Sequence, residues 1–180
     1  CMVELGLFDC HFGKLAAIDE GCSLTKTKDK WNFAVQDLLA KTSHYDIDYY
    51  LLPIGNDMLH IDNKANTTAK GTPQDVSGRF EEIVHIAYQS VIDTVTVMLE
   101  TAPVKIIWVR GNHDPLTSWF LCEMLKAYFS GNKDVEVVTD IDARQYERYG
   151  RNLIGFTHGN NEKKKDLPML MANEAKHHWA

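Results

Sequence analysis

Apolar and polar positions along the chain switch repeatedly between a period of two and a period of 3.6, which predicts alternating strands and helices. Met2 to Phe8, with Val3, Leu5, Leu7 and Phe8, reads as a strand running into the turn Asp9-Cys10-His11. Trp31, Ala34, Val35, Leu38 and Leu39 lie on one helical face. Tyr49 to Ile54 is the second strand, where Pro53 suggests an edge position or a local irregularity near its end. A long polar stretch follows, and then Phe80, Ile83, Val84, Ala87, Val91, Val95 and Leu99 mark the longest helix, Arg79 to Thr101. Pro103 launches the strand Val104 to Val109. Thr117 to Phe129 is a packed helix and Val135 to Val138 a short strand. Gln145 to Tyr149 and Asn152 to Thr157 form a hairpin about Gly150-Arg151, and Leu167 to Trp179 reads as a helix.

This order, with 180 residues of which 44% are hydrophobic, predicts one α/β domain over residues 1–180. The formal net charge of −6 weakens broad adhesion to nucleic acid or to an anionic membrane. Cys1, Cys10, Cys22 and Cys122 show no C-x-x-C spacing, which points to a reducing compartment and a cytoplasmic location. No apolar stretch approaches the ~20 residues of a membrane span. Cys1 at the start and the uncapped helix pattern over Asp166 to Ala180 predict a piece of a longer protein.

The candidate chemistry sits where strands end. Asp9 and His11 follow the first strand, Asp57 the second, Asn112, His113 and Asp114 the third, and His158 the hairpin. Strand alternation places Asp9 and His11 on one side, able to converge on one cation. Carboxylate, imidazole and amide oxygen together suit Mn²⁺, Fe or Zn²⁺, and the absence of a cysteine pattern speaks against a structural zinc site. His60 and Asp62, in the long loop after Asp57, read equally as groups supporting the ligands or as surface residues. The run Glu162 to Asp166 reads as a solvated turn, with a phosphate-backbone contact as the alternative, and His177-His178 as surface residues.

The ordered series D-C-H, G-N-D, G-N-H-D and T-H-G resembles the motifs of the calcineurin-like metallophosphoesterase superfamily. That resemblance implies a double β-sheet sandwich flanked by helices, α/β/β/α, incomplete at the C-terminus. It also implies two divalent metal ions, Mn²⁺ foremost, with Fe, Zn²⁺ or Ni²⁺ as other occupants. Asp9 and His11 would hold the first ion, Asp57 would bridge, and Asn112 and His158 would hold the second. His113 would sit over the scissile phosphate as proton donor. Three departures stand out: Asn56 separates Gly55 from Asp57, and His60 stands where an Asp usually orients the catalytic His, leaving Asp114 or Asp62 for that task. No G-H-x-H motif occurs, which implies that it lies beyond Ala180.

The resulting expectation is a phosphodiesterase or nuclease that uses a two-metal-activated water. The opening D-C-H-F-G-K resembles the repair exonuclease branch, and the long loop after Asp57 can contact a DNA strand. A phosphomonoesterase acting on a protein, nucleotide or metabolite is the alternative, and a non-catalytic binding scaffold a third. A dinucleotide-binding domain is excluded by the absence of G-x-G-x-x-G and G-x-x-x-x-G-K-[S/T] fingerprints.

Overall fold

A computed structural model of the chain describes residues 1–15 and 23–179. Four parallel strands lie in the order β1 (Met2–Glu4), β2 (Tyr49–Gly55), β3 (Val104–Val109) and β4 (Val135–Val138). Between them run α1 (Leu24–Thr42), α2 (Phe80–Met98) and α3 (Pro115–Tyr128). Each crossover steps the same way across the sheet, so right-handed connections place all three helices on one face. That face holds the main core, where Trp31, Val35, Ile83, Val91 and Leu121 meet Leu52, Ile54, Ile106 and Trp108. Two indole bonds tie the layers: Trp31 Nε1 donates to Thr94 Oγ1 at 2.8 Å and Trp108 Nε1 to Ser118 Oγ at 3.0 Å.

The other face of the sheet carries Leu51, Ile107 and Val109, the alternate residues of β2 and β3. They pack against Ile154 and Phe156 of an antiparallel hairpin, β5 (Gln145–Tyr149) and β6 (Asn152–Phe156), whose Tyr149 pairs with Asn152 across a two-residue turn. The architecture is therefore α/β, with a parallel sheet between helices and a small antiparallel sheet. The last turns form a 3₁₀ segment over Lys164–Asp166, then α4 (Leu167–Glu174) and α5 (Lys176–Trp179). No helix among the described residues is long and apolar enough to cross a membrane.

Several expectations need correction. The first strand ends at Glu4, not Phe8, because the chain leaves the ladder after Leu5 N–H bonds Leu51 O. Pro53 lies in an interior strand. Residues 50, 52 and 54 turn their N–H groups toward β3, so residue 53 faces the β1 side, beyond the last β1 residue that pairs. A missing donor costs nothing there. The first helix starts at Leu24, where Ser23 Oγ accepts the Lys26 N–H at 3.3 Å. The expected C-terminal helix breaks at Ala175. In the run Glu162 to Asp166, Lys163 to Lys165 are exposed as expected, whereas the Glu162 side chain is 6% exposed and accepts from Arg144 Nη1 at 2.6 Å.

Candidate metal centre

At the end of β2 the backbone turns through three left-handed residues, Gly55 (φ 99°), Asn56 (φ 53°) and Asp57 (φ 63°). Gly55 is required, since a Cβ there would lie 2.2 Å from the Val109 carbonyl. Asp9 (φ 55°) and His11 (φ 46°) adopt the same region. Asn and Asp tolerate it better than most residues, and such strain persists only where the surroundings enforce it. Those surroundings are visible: Asp9 N–H bonds Asn56 O at 3.2 Å, His11 N–H bonds Asp57 O at 3.1 Å, and Phe12 N–H bonds Met58 O at 2.7 Å. The D-x-H segment thus runs alongside the β2 turn. Asp9 and His11 meet through these bends and not through strand alternation, with His11 Nε2 3.9 Å from Asp9 Oδ1.

Asp57 is the hub. Its Oδ1 accepts the main-chain N–H of Asn112 at 2.7 Å and of His113 at 2.8 Å, while Oδ2 lies 3.4 Å from His158 Nε2. The β3 loop approaches this closely because residue 111 is glycine, where a Cβ would stand 2.2 Å from Asp57 Oδ1. His158 Nε2 also faces Asn112 Oδ1 at 2.5 Å, and its Nδ1 faces Asn56 Oδ1. The His158 ring thus joins Asn56, Asp57 and Asn112 at one point. Ligand atoms of Asp9, Asp57 and His158 all lie within 4.8 Å of one another, a mixed oxygen and nitrogen set that fits a divalent cation.

A second group adjoins the first: His11, His60 and His113, whose nitrogens also fall within 4.8 Å. His60 Nδ1 lies 3.2 Å from His11 Nδ1, and the His60 and His113 rings stack with centroids 5.3 Å apart. Burial, then the neighbouring imidazoles, pushes His60 down to about 4, and burial lowers His11 as well. Both rings are neutral near pH 7, the form that ligates metals. The group can therefore hold a cation of borderline softness.

His113 Nδ1 is 2.9 Å from the His60 carbonyl, to which it donates. Neither carboxylate proposed to orient His113 does so. Asp62 caps α3, accepting Thr117 N–H at 2.7 Å and Leu116 N–H at 3.4 Å. Asp114 Oδ2 accepts Leu59 N–H at 2.8 Å, and its buried Oδ1 has no hydrogen-bond partner among the described residues. Burial pushes the Asp114 carboxyl up to about 8, consistent with a neutral acid at the centre of the turn.

Of the expected residues, Asp9, Asp57, Asn112 and His158 come together, and His11 and His113 stand beside them with His60. Sequence reasoning did not anticipate Asn56 as a partner of His158, or the His60 carbonyl as the support of His113. His85 and His177-His178 lie outside this site. No family model matches the chain, and no curated protein matches it.

Proposed function

We propose that the chain is a calcineurin-like metallophosphoesterase domain that hydrolyses phosphoesters, with diesters and nucleic acid strands favoured. The observation that carries this reading is the convergence of Asp57, Asn112 and His158 on one point at 2.5 to 3.4 Å, although they lie 46 or more residues apart. The face-to-face packing of the hairpin on the parallel sheet supports the double-sheet sandwich.

Asp9, Asp57, Asn112 and His158 would hold one cation and His11 the next, with Asp57 between them. Bound divalent ions, Mn²⁺ foremost, would neutralise phosphate charge and activate a water for in-line attack. The chain's own contribution is positional. Asp57 keeps its carboxylate aimed because two main-chain donors fix Oδ1. Asn112 offers a neutral oxygen and so leaves the local positive charge intact. His113 keeps its Nδ1–H on the His60 carbonyl, which leaves Nε2 as the nitrogen that would face the substrate and exchange a proton with the leaving oxygen.

The acidic net charge favours small phosphomonoesters as a second reading, because they need no basic track. Incubation with Mn²⁺ and bis-p-nitrophenyl phosphate, p-nitrophenyl phosphate, or single- and double-stranded DNA separates the two. Turnover of diesters supports the first reading, turnover of the monoester alone the second, and cleavage of none of the four sinks both.

A further inference from the structure

We propose that the open cavity on the helix side of the Gly111-Asn112-His113 loop is a nucleotide subsite, with the base against Trp119, Leu116 and Ile141 and a phosphate on Arg110. Its role in turnover rests on the phosphoesterase reading, but its binding of a nucleotide does not.

The cavity measures about 310 Å³ and is lined by Trp108, Arg110, Pro115, Leu116, Trp119 and Ile141. It lies between the end of β3, the first turn of α3 and the loop before β5. Its size is at the lower end of small-ligand sites. The walls are already in place. Trp119 Nε1 donates to the Thr139 carbonyl at 3.1 Å, and Gln145 Nε2 donates to the carbonyls of Asp140 and Asp142, so indole and loop are fixed to each other. Leu116 and Ile141 stand 56% and 74% exposed, and both line the cavity.

Arg110 is the only charged residue of the lining, and its guanidinium has no hydrogen bond or ion pair among the described residues. It precedes Asn112 by two positions, so their Cα atoms are at most about 7.6 Å apart. Arg110 thus ties the cavity to the same loop that carries Asn112. A purely apolar ligand would leave Arg110 unused, and a bare phosphate would leave the apolar walls wet. A nucleotide satisfies both halves, since an indole and aliphatic slabs accept the face of any base and an arginine accepts its phosphate.

The test is calorimetric titration of the 180-residue chain in excess chelator with AMP, adenosine, ribose 5-phosphate and a dinucleotide. AMP is expected to bind at least about tenfold more tightly than ribose 5-phosphate, the effect of losing one stacked base. Arg110→Ala is expected to weaken AMP about tenfold while sparing adenosine, and Ile141→Asp to weaken both, with unchanged circular dichroism. A dinucleotide that binds as well as AMP identifies a strand unit as the ligand, and one that binds poorly identifies the free nucleotide. Bis-p-nitrophenyl phosphate turnover with Mn²⁺ tests the phosphoesterase reading separately. No heat with millimolar AMP, equal affinity for AMP and ribose 5-phosphate, or self-association of the chain through this face that nucleotide does not alter, would overturn the proposal.

Discussion

Asn112 and His113 are neighbours whose main-chain N–H groups share one acceptor, Asp57 Oδ1, yet their side chains take separate partners. Asn112 Oδ1 meets His158, and His113 Nδ1 meets the His60 carbonyl. Removing the His113 imidazole therefore leaves the Asp9, Asp57 and His158 group whole. His113→Ala is expected to lower phosphodiester turnover by ~10²–10⁴, the usual contribution of a positioned proton donor. Mn²⁺ affinity at the Asp9, Asp57 and His158 group should stay within about threefold of the parent's. Steady-state rates and calorimetry on the same preparation check both, and an unchanged rate rejects the donor role. The polar strand-end residues were legible in the sequence because they interrupt apolar runs. His60 was not legible in its supporting role, because that role is played by a main-chain carbonyl that every residue type possesses.

The strands buried on a regular period match their expected bounds more closely than the helices do, since the helix expected over Arg79 to Thr101 spans Phe80–Met98 and the one expected from Trp31 begins at Leu24. The strand Val104–Val109, the strand Val135–Val138 and the first arm of the hairpin match their expected bounds. The first strand was overread because Leu5 and Leu7 continue the apolar alternation into the core after the ladder has ended. The loop after Asp57 was read as polar, although Met58, Leu59, His60 and Ile61 are buried; four residues are too few to display a period. The β2 turn depends on Gly55, so Gly55→Ala should cost on the order of 2 kcal/mol or more, from a strained φ and a carbonyl clash. Urea unfolding measures this, and a cost below about 0.5 kcal/mol would show that the turn relaxes freely. At the other end of the chain, hydrogen bonds from Arg144, and then from Tyr146, hold the Glu174 carboxyl below the ordinary range and tie α4 to the hairpin. A folded-state value below the unfolded one stabilises above the unfolded value and is lost as pH falls through the folded one. Glu174→Gln should therefore lower the urea midpoint at pH 7 and flatten its decline toward acid, whereas parallel curves for the two proteins would dismiss this tie.

At the scale of the molecule, the candidate centre gathers donors from four separated places: the segment after β1, the ends of β2 and β3, and the end of the hairpin. The motifs showed which residues to gather but not how, because the two faces of the parallel sheet and the seat of the hairpin follow from packing and not from spacing. An unfolded chain holds these donors far apart, so a cation that bridges them binds the native state preferentially. Such a ligand stabilises by RT ln(1 + [L]/Kd), about 2.7 kcal/mol at a hundredfold excess over Kd. For a chain of this length that corresponds to a rise of about 5–10 °C in Tm. Scanning calorimetry with Mn²⁺, and again after chelation, should show the rise and its reversal. Asp57→Asn keeps an oxygen for the Asn112 and His113 N–H groups but removes the charge, so its metal-free Tm should stay near the parent's while the Mn²⁺ increment disappears. A parent whose Tm does not respond to Mn²⁺ would mean that the four strand ends meet without forming a metal site, and an Asp57→Asn variant that keeps the increment would place the cation elsewhere.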